Sequence, residues 1–405
     1  MTTPVVRPSP AGTPTPAQLF VFADQEITAA VAEQWPHAQI RLGHHVPSVT
    51  GYVRRVHING RALYAKYSFL GISLVSLLRG AGGPWPEVRD EQRAYVQRPD
   101  ALMDREAAQL RLLARLPSPR VCQVAGLRRG VLLTEAVDGP SLAQLLVQQP
   151  QHTADFYAEV FTQLRPLHRS PASSPMGPAP VIAERSIAAT FQRKFNGLSG
   201  PTYLRHLGAE RCPPAVREEV TETLRHTVAR LHRLRAAMHT QSAQRVLVYG
   251  DLKPEHILFP DGTGHRPVFI DPGLQSATAT ADTAKLVSRS ALALATARPG
   301  TTAAQHAVHG IHTFTAKRLD PLAGKARRTH VHRLVGLWLM DSINILTTYL
   351  TAPPALPLPA HGSALAARAV PVCRMLEATS NELAAGTDPH TVWENALLRT
   401  RALAA

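Results

Sequence analysis

Between Val46 and Tyr67 the pattern of apolar and polar side chains is that of strands. Over Thr50–Ile58 one face carries Tyr52, Arg54, Val56 and Ile58, and the other Val53, Arg55 and His57. Asn59-Gly60 separates this run from a second, Arg61–Tyr67, in which Ala62, Tyr64 and Lys66 share a face. Asn-Gly between two alternating runs predicts a tight hairpin, because both residues tolerate the positive φ such a turn demands. The spacing becomes helical at Ala107, Leu110, Leu113 and Leu116, which predicts a helix over Asp104–Leu116 that ends before Pro117. Val121–Val124 and Gly130–Val137 read as two further strands, the second carrying the apolar run Val131-Leu132-Leu133. A short amphipathic helix is expected around Gln25–Trp35, stopped by Pro36. Residues 1–16, rich in Thr, Pro and Ala and without periodicity, read as a disordered tail.

After residue 137 helices dominate: Ser141–Val147, Ala154–His168, Val216–Met238, Thr283–Thr296 and Val331–Leu350. One β-rich island, Val246–Ile270, interrupts them. Ser170–Pro180 and Ala352–Pro359 read as loops, and no internal repeat is present. Strands gathered at one end and helices at the other make an α+β chain, and 405 residues suffice for two lobes with separate cores. The expected division is a small lobe over 17–137 and a helical lobe over 138–405.

Composition narrows the class. The three cysteines, Cys122, Cys212 and Cys373, have no metal-binding or disulfide spacing, which suits a reducing cytoplasm. No cationic-then-apolar leader opens the sequence. Tyr67–Leu78 is too short to span a bilayer, and Asp341 and Asn344 interrupt Leu334–Leu350. The reading is a soluble, cytoplasmic protein. A net charge of +15 admits an anionic partner such as a nucleotide, a phosphorylated metabolite or RNA, and equally a surface solvated by arginine. Aromatic residues make up only 5% of the chain, too sparse to favour stacking on nucleic-acid bases.

The island carries the chemistry. Val246-Leu247-Val248 delivers Tyr249-Gly250-Asp251, a polar loop follows, and an apolar strand resumes after His256, five positions beyond the aspartate. The turn Asp261-Gly262-Thr263-Gly264 leads into Val268-Phe269-Ile270-Asp271-Pro272-Gly273. Phosphoryl transfer needs one carboxylate to orient an attacking hydroxyl and others to hold a metal on the phosphates. Two aspartates at the ends of adjacent strands supply both.

This segment resembles the catalytic loop and metal-binding strand of the aminoglycoside phosphotransferase/choline kinase-like family, whose pattern is H-G-D-x-x-x-x-N followed by I-D-F/W-G. The resemblance covers about residues 45–300 and implies a two-lobed protein-kinase-like fold, with a small antiparallel sheet and one helix in the first lobe. It implies ATP or GTP as phosphoryl donor, Mg²⁺ or Mn²⁺ as metal, and a small-molecule hydroxyl as acceptor. By position, Asp251 resembles the catalytic aspartate, and Asp271 and His256 the metal ligands. Lys66 resembles the phosphate-contacting lysine and Glu106 its glutamate partner. Glu135 and Val137 fall in the adenine-binding hinge, and Ser48 and Thr50 in the phosphate-covering loop, which lacks a glycine-rich run. Glu87 and Glu91 compete with Glu106 but lie in a stretch broken by Pro and Arg.

Three positions depart from the family pattern. Tyr249 replaces the usual histidine, Pro272 the aromatic after the metal aspartate, and His256 the asparagine ligand. Imidazole is a softer donor than an amide oxygen and suits Mn²⁺ or Zn²⁺ better than Mg²⁺. Two basic segments, Glu184–Arg211 and Lys317–Arg333, are candidates for the acceptor side. Carboxylates are scarce there, which disfavours cationic aminoglycosides and favours a neutral or anionic acceptor. The alternatives are a kinase acting on RNA or a nucleotide-linked acceptor, and a weakened kinase that serves as a binding module.

Overall fold

In this computed structural model the described residues are 12–170, 181–197, 200–239 and 244–405. The first helix, α1 (Pro16–Gln34), starts well before Gln25. Thr15 caps it: its hydroxyl accepts the Gln18 N–H, and the Gln18 side chain accepts the Thr15 N–H at 2.9 Å. These reciprocal bonds satisfy first-turn donors. Of the tail expected over 1–16, residues 1–11 lie outside the described residues, and Thr15-Pro16 already belong to the helix.

Three strands follow, β1 (Ile40–Val46), β2 (Tyr52–Ile58) and β3 (Arg61–Tyr67). The predicted hairpin is present: Ile58 pairs with Arg61 across Asn59 (φ 50°) and Gly60 (φ 84°). Next come α2 (Leu74–Leu78), α3 (Trp85–Tyr95) and α4 (Leu102–Leu113), then β4 (Arg120–Val121), β5 (Val124–Arg128) and β6 (Val131–Glu135). The antiparallel sheet has the order β1-β2-β3-β6-β5. One face meets α1, where Tyr52 and Arg54 bond Asp24; the other presents Lys66 toward α4.

The small lobe therefore holds two helices, α2 and α3, beyond the α1 and α4 read from periodicity, where the resemblance implied one. Apolar periodicity misses α3 because it is tied down by a polar residue. The amide of buried Gln92 accepts the Leu70 N–H at 2.7 Å and donates to the Ser68 carbonyl at 3.0 Å. Its Glu87 and Glu91 are exposed, away from Lys66.

The larger lobe runs through α5 (Leu142–Gln148), α6 (Thr153–Arg169), α7 (Ile187–Phe195), α8 (Gly200–Arg205) and α9 (Pro214–His239). It continues with the strands β7 (Val246–Val248), β8 (Ile257–Leu258), β9 (Val268–Phe269) and β10 (Gln275–Ala277). The helices α10 (Thr280–Ala297), α11 (Thr301–Leu319), α12 (Gly324–Thr351), α13 (Ala360–Ala367), α14 (Ala369–Ala384) and α15 (Pro389–Ala404) complete it. All but one residue of the loop expected at Ser170–Pro180 lie outside the described residues. Two short pairings frame the site: β7 with β10, and β8 with β9, both antiparallel. The strand β4 adds to β9 in parallel, Arg120 opposite Val268 and Val121 opposite Phe269. The α12 helix is long and apolar enough to cross a membrane, but 83% of its most apolar window is buried. Its Trp338, Leu339, Met340 and Ile343 form the lobe's core, and its Asp341 is neutralised by ion pairs.

Candidate active site

The loop after β7 is held by its backbone. Asp282, in the first turn of α10, accepts the N–H groups of Tyr249 and Gly250, each at 2.8 Å. His168, at the end of α6, meets the same carboxylate at 2.8 Å. Gly250 has φ +83°, and a Cβ there would lie 2.0 Å from the Gly273 carbonyl oxygen, so only glycine fits. Tyr249 is fully buried; its hydroxyl donates to the Ile270 carbonyl at 2.8 Å and its ring packs on Phe269. The aromatic fills the loop's interior.

These contacts place Asp251 at the bottom of the cleft, 5% exposed. Lys253 Nζ stands 2.9 Å and Arg185 Nε 4.0 Å from its Oδ2, and Lys285 Nζ 3.5 Å from its Oδ1. Burial would push this carboxyl upward, but Lys253, Lys285 and Arg185 outweigh it and hold Asp251 well below the usual carboxylate range. It is ionised at neutral pH, an acceptor that orients a hydroxyl better than it stores a proton. Lys285 is itself anchored 2.9 Å from Asp341 of α12, which also accepts from Ser288 and Arg289.

The second aspartate, Asp271, follows β9 with φ +57°, a left-handed conformation uncommon for a residue with a Cβ and recurrent at functional sites. The Gly273 N–H donates to the Tyr249 carbonyl at 2.9 Å, so the turn after Asp271 lies backbone to backbone on the loop before Asp251. Lys66 Nζ bridges Asp271 Oδ1 and, at 2.8 Å, Glu106 Oε1. Glu106 is completely buried and receives Arg185 on its other oxygen. Burial raises the Glu106 carboxyl, yet Arg185 and Lys66 prevail and lower it to about 2.

His256 Nε2 lies 3.6 Å from Asp271 Oδ2, and its Nδ1 is buried without a hydrogen-bond partner. Burial and then Lys253 hold the imidazole well below 6.5, so it is neutral and able to donate a lone pair. Among the described residues no three His, Cys, Asp or Glu side chains converge as a metal cage. One carboxylate with one neutral imidazole fits a cation that takes its remaining ligands from phosphate and water, as Mg²⁺ does, with the nitrogen inclining the site toward Mn²⁺.

The remaining expected residues stand further out. Ser48 and Thr50 lie in the loop between β1 and β2, their hydroxyls 3.2 Å apart. Among the described residues neither is bonded to the Lys66–Asp271 cluster. The Glu135 N–H is already engaged by the Gln123 carbonyl at 2.9 Å, and its side chain pairs with Arg61. Val137 lies beyond the last sheet bond, Ala136 N–H to Ala62 carbonyl, and has the freer hinge backbone.

Much of the basic segment Glu184–Arg211 turns inward. Lys194 donates to the Asn344 carbonyl at 2.6 Å, and Arg211 to the carbonyls of Ala352 and Pro353, both at 2.6 Å. The Arg205 side chain lies outside the described part. In Lys317–Arg333, Arg318 lies over the Phe161 ring at 4.6 Å and Arg327 donates to His390 at 3.1 Å. These cations serve internal packing rather than a nucleic-acid face. Sequence reasoning assigned no role to Asp282, Lys285, Asp341 or Lys253, and placed Arg185 only on the acceptor side.

A lysine–glutamate pair is thus joined to one aspartate, beside a second aspartate in a backbone-clamped loop. The family model of the phosphotransferase enzyme family APH matches residues 87–316, more than half of the chain, and the protein belongs to that family. Similar solved structures include the aminoglycoside phosphotransferase APH(4)-Ia, 13% identical over 88% of this chain and 98% of that one, TM-score 0.48. The choline kinase of Cryptosporidium parvum Iowa II is 12% identical over 91% and 99%, TM-score 0.47. A choline/ethanolamine kinase family protein from Mesorhizobium loti is 15% identical over 94% and 99%, TM-score 0.47. No curated protein matches.

Proposed function

We propose that the protein transfers the γ-phosphoryl group of ATP, or GTP, to a hydroxyl of a neutral or anionic small molecule. The observation that carries this reading is the Lys66 ammonium, bridged between Glu106 and Asp271 above the buried, ionised Asp251. A divalent cation held by Asp271 and His256 would supply charge neutralisation of the phosphates. Lys66, kept extended by Glu106, binds the α- and β-phosphates. Asp251 accepts the hydrogen bond of the acceptor hydroxyl and aims its oxygen at the phosphorus. Its low basicity means that the hydroxyl proton transfers late, once the oxygen has begun to bond. The three cations around Asp251 disfavour a positively charged acceptor by like-charge repulsion.

Asp251→Asn tests the assignment. With ADP formation followed over a panel of neutral and anionic hydroxyl compounds, kcat should fall on the order of 10²–10⁴-fold. An undiminished rate would remove Asp251 from the chemistry.

A further inference from the structure

Two adjacent charges on α4, Arg105-Glu106, face two adjacent opposite charges in the 3-10 turn Ala183–Arg185, and the pairs lie side by side. Arg105 grips Glu184 with both terminal nitrogens, at 2.6 and 3.0 Å, while Glu106 receives Arg185. The outer pair is partly solvated and the inner one enclosed: Glu106 has no exposed surface.

Arg185 does more than neutralise Glu106. One terminal nitrogen donates to Glu106 Oε2, the other to the Pro272 carbonyl, and Nε stands 4.0 Å from Asp251 Oδ2. Its stem crosses the turn after Asp271 so closely that a Cβ on Gly273 would meet Arg185 Cβ and Cδ, each at 3.0 Å. One planar, multi-donor group thus touches the helix that orients Lys66, the turn that carries Asp271 and the loop that carries Asp251. A lysine, with a point charge at its tip, could not span all three.

We infer that Arg185 is a positioning residue that locks these three elements into one register. Lys66 and Glu106 are thereby aligned with both aspartates by a contact within the chain, without a partner or a modification. Glu106 has two oxygens and two cations, so removing Arg185 frees the carboxylate to turn and lets α4 and the 271–273 turn move independently. For nucleotide binding the inference rests on the kinase reading; for the coupling of the three elements it does not.

The test compares Arg185→Ala, Arg185→Lys and Glu184→Gln with the unaltered protein. In hydrogen–deuterium exchange without nucleotide, Arg185→Ala should raise exchange together in Leu102–Leu113 and in residues 271–275. In calorimetric titration with the ATP analogue AMP-PNP and Mg²⁺, it should lower affinity about tenfold, a charged hydrogen bond's worth. Millimolar guanidinium should restore much of that loss, Arg185→Lys should not, and Glu184→Gln, which opens only the outer pair, should stay within about twofold. Faster exchange confined to residues 183–197, or full recovery by lysine, would overturn the inference. If the unaltered protein fails to bind AMP-PNP while the joint exchange pattern holds, the nucleotide reading falls and the coupling stands.

Discussion

Glu106→Gln isolates the electrostatics of the site. Glu106 is wholly buried between Lys66 and Arg185, with a carboxyl lowered from 4.5 to about 2. At about 1.4 kcal/mol per pH unit, this corresponds to roughly 3 kcal/mol of stabilisation at neutral pH. Breaking a buried ion pair by removing one partner costs about 3–5 kcal/mol, so two routes give the same magnitude. Because Lys66 keeps Asp271 as a partner, the lower end applies. The folded carboxyl titrates below the unfolded one. Its contribution is therefore complete above about pH 4.5 and is lost as pH falls toward 2. Urea unfolding at pH 7, 5, 4 and 3 should show a gap between native protein and variant near 3 kcal/mol at neutrality, narrowing below pH 4.5. A gap under about 1 kcal/mol at pH 7, or one that persists unchanged to pH 3, would refute the reasoning.

Two further substitutions probe backbone and metal. Gly250→Ala should lower stability by more than about 2 kcal/mol, since its Cβ would strike the Gly273 carbonyl. Gly262→Ala, at a similar φ of +87° but with nothing within 4 Å, should lower it by only about 1 kcal/mol; equal thermal shifts would sink that account. His256→Asn replaces imidazole by an amide oxygen, so the thermal stabilisation by AMP-PNP with Mg²⁺ should grow relative to that with Mn²⁺. A ratio unmoved by the change would exclude His256 as a ligand.

The order Lys66, Glu106, Asp251, Asp271 was legible because each residue sits in a distinct local pattern: a strand face, a helix at apolar period, and two apolar runs ending in aspartate. Arg185 was not, because its role depends on Glu106, 79 positions away, and its three-residue turn has no periodicity. Lys285 and Asp341 looked like ordinary polar residues of two helices, and only the crossing of α10 and α12 brings them to 2.9 Å. The start of α1 could have been read earlier, since Thr15-Pro16-Ala17-Gln18 is a capping box with proline at the first helical position. The inward turn of Lys194 and Arg211 shows that a count of basic residues includes cations that serve internal packing.

The parallel rung between β4 and β9 ties the two lobes just beyond the C-terminal end of α4. A rotation of the small lobe that kept this rung would leave residues 120–122 nearly still, with the far end of α4 sweeping the wider arc. Glu106 and Lys66 both ride on the moving lobe, so a modest rotation changes their reach to Asp271 and Arg185 and leaves the bond between them intact.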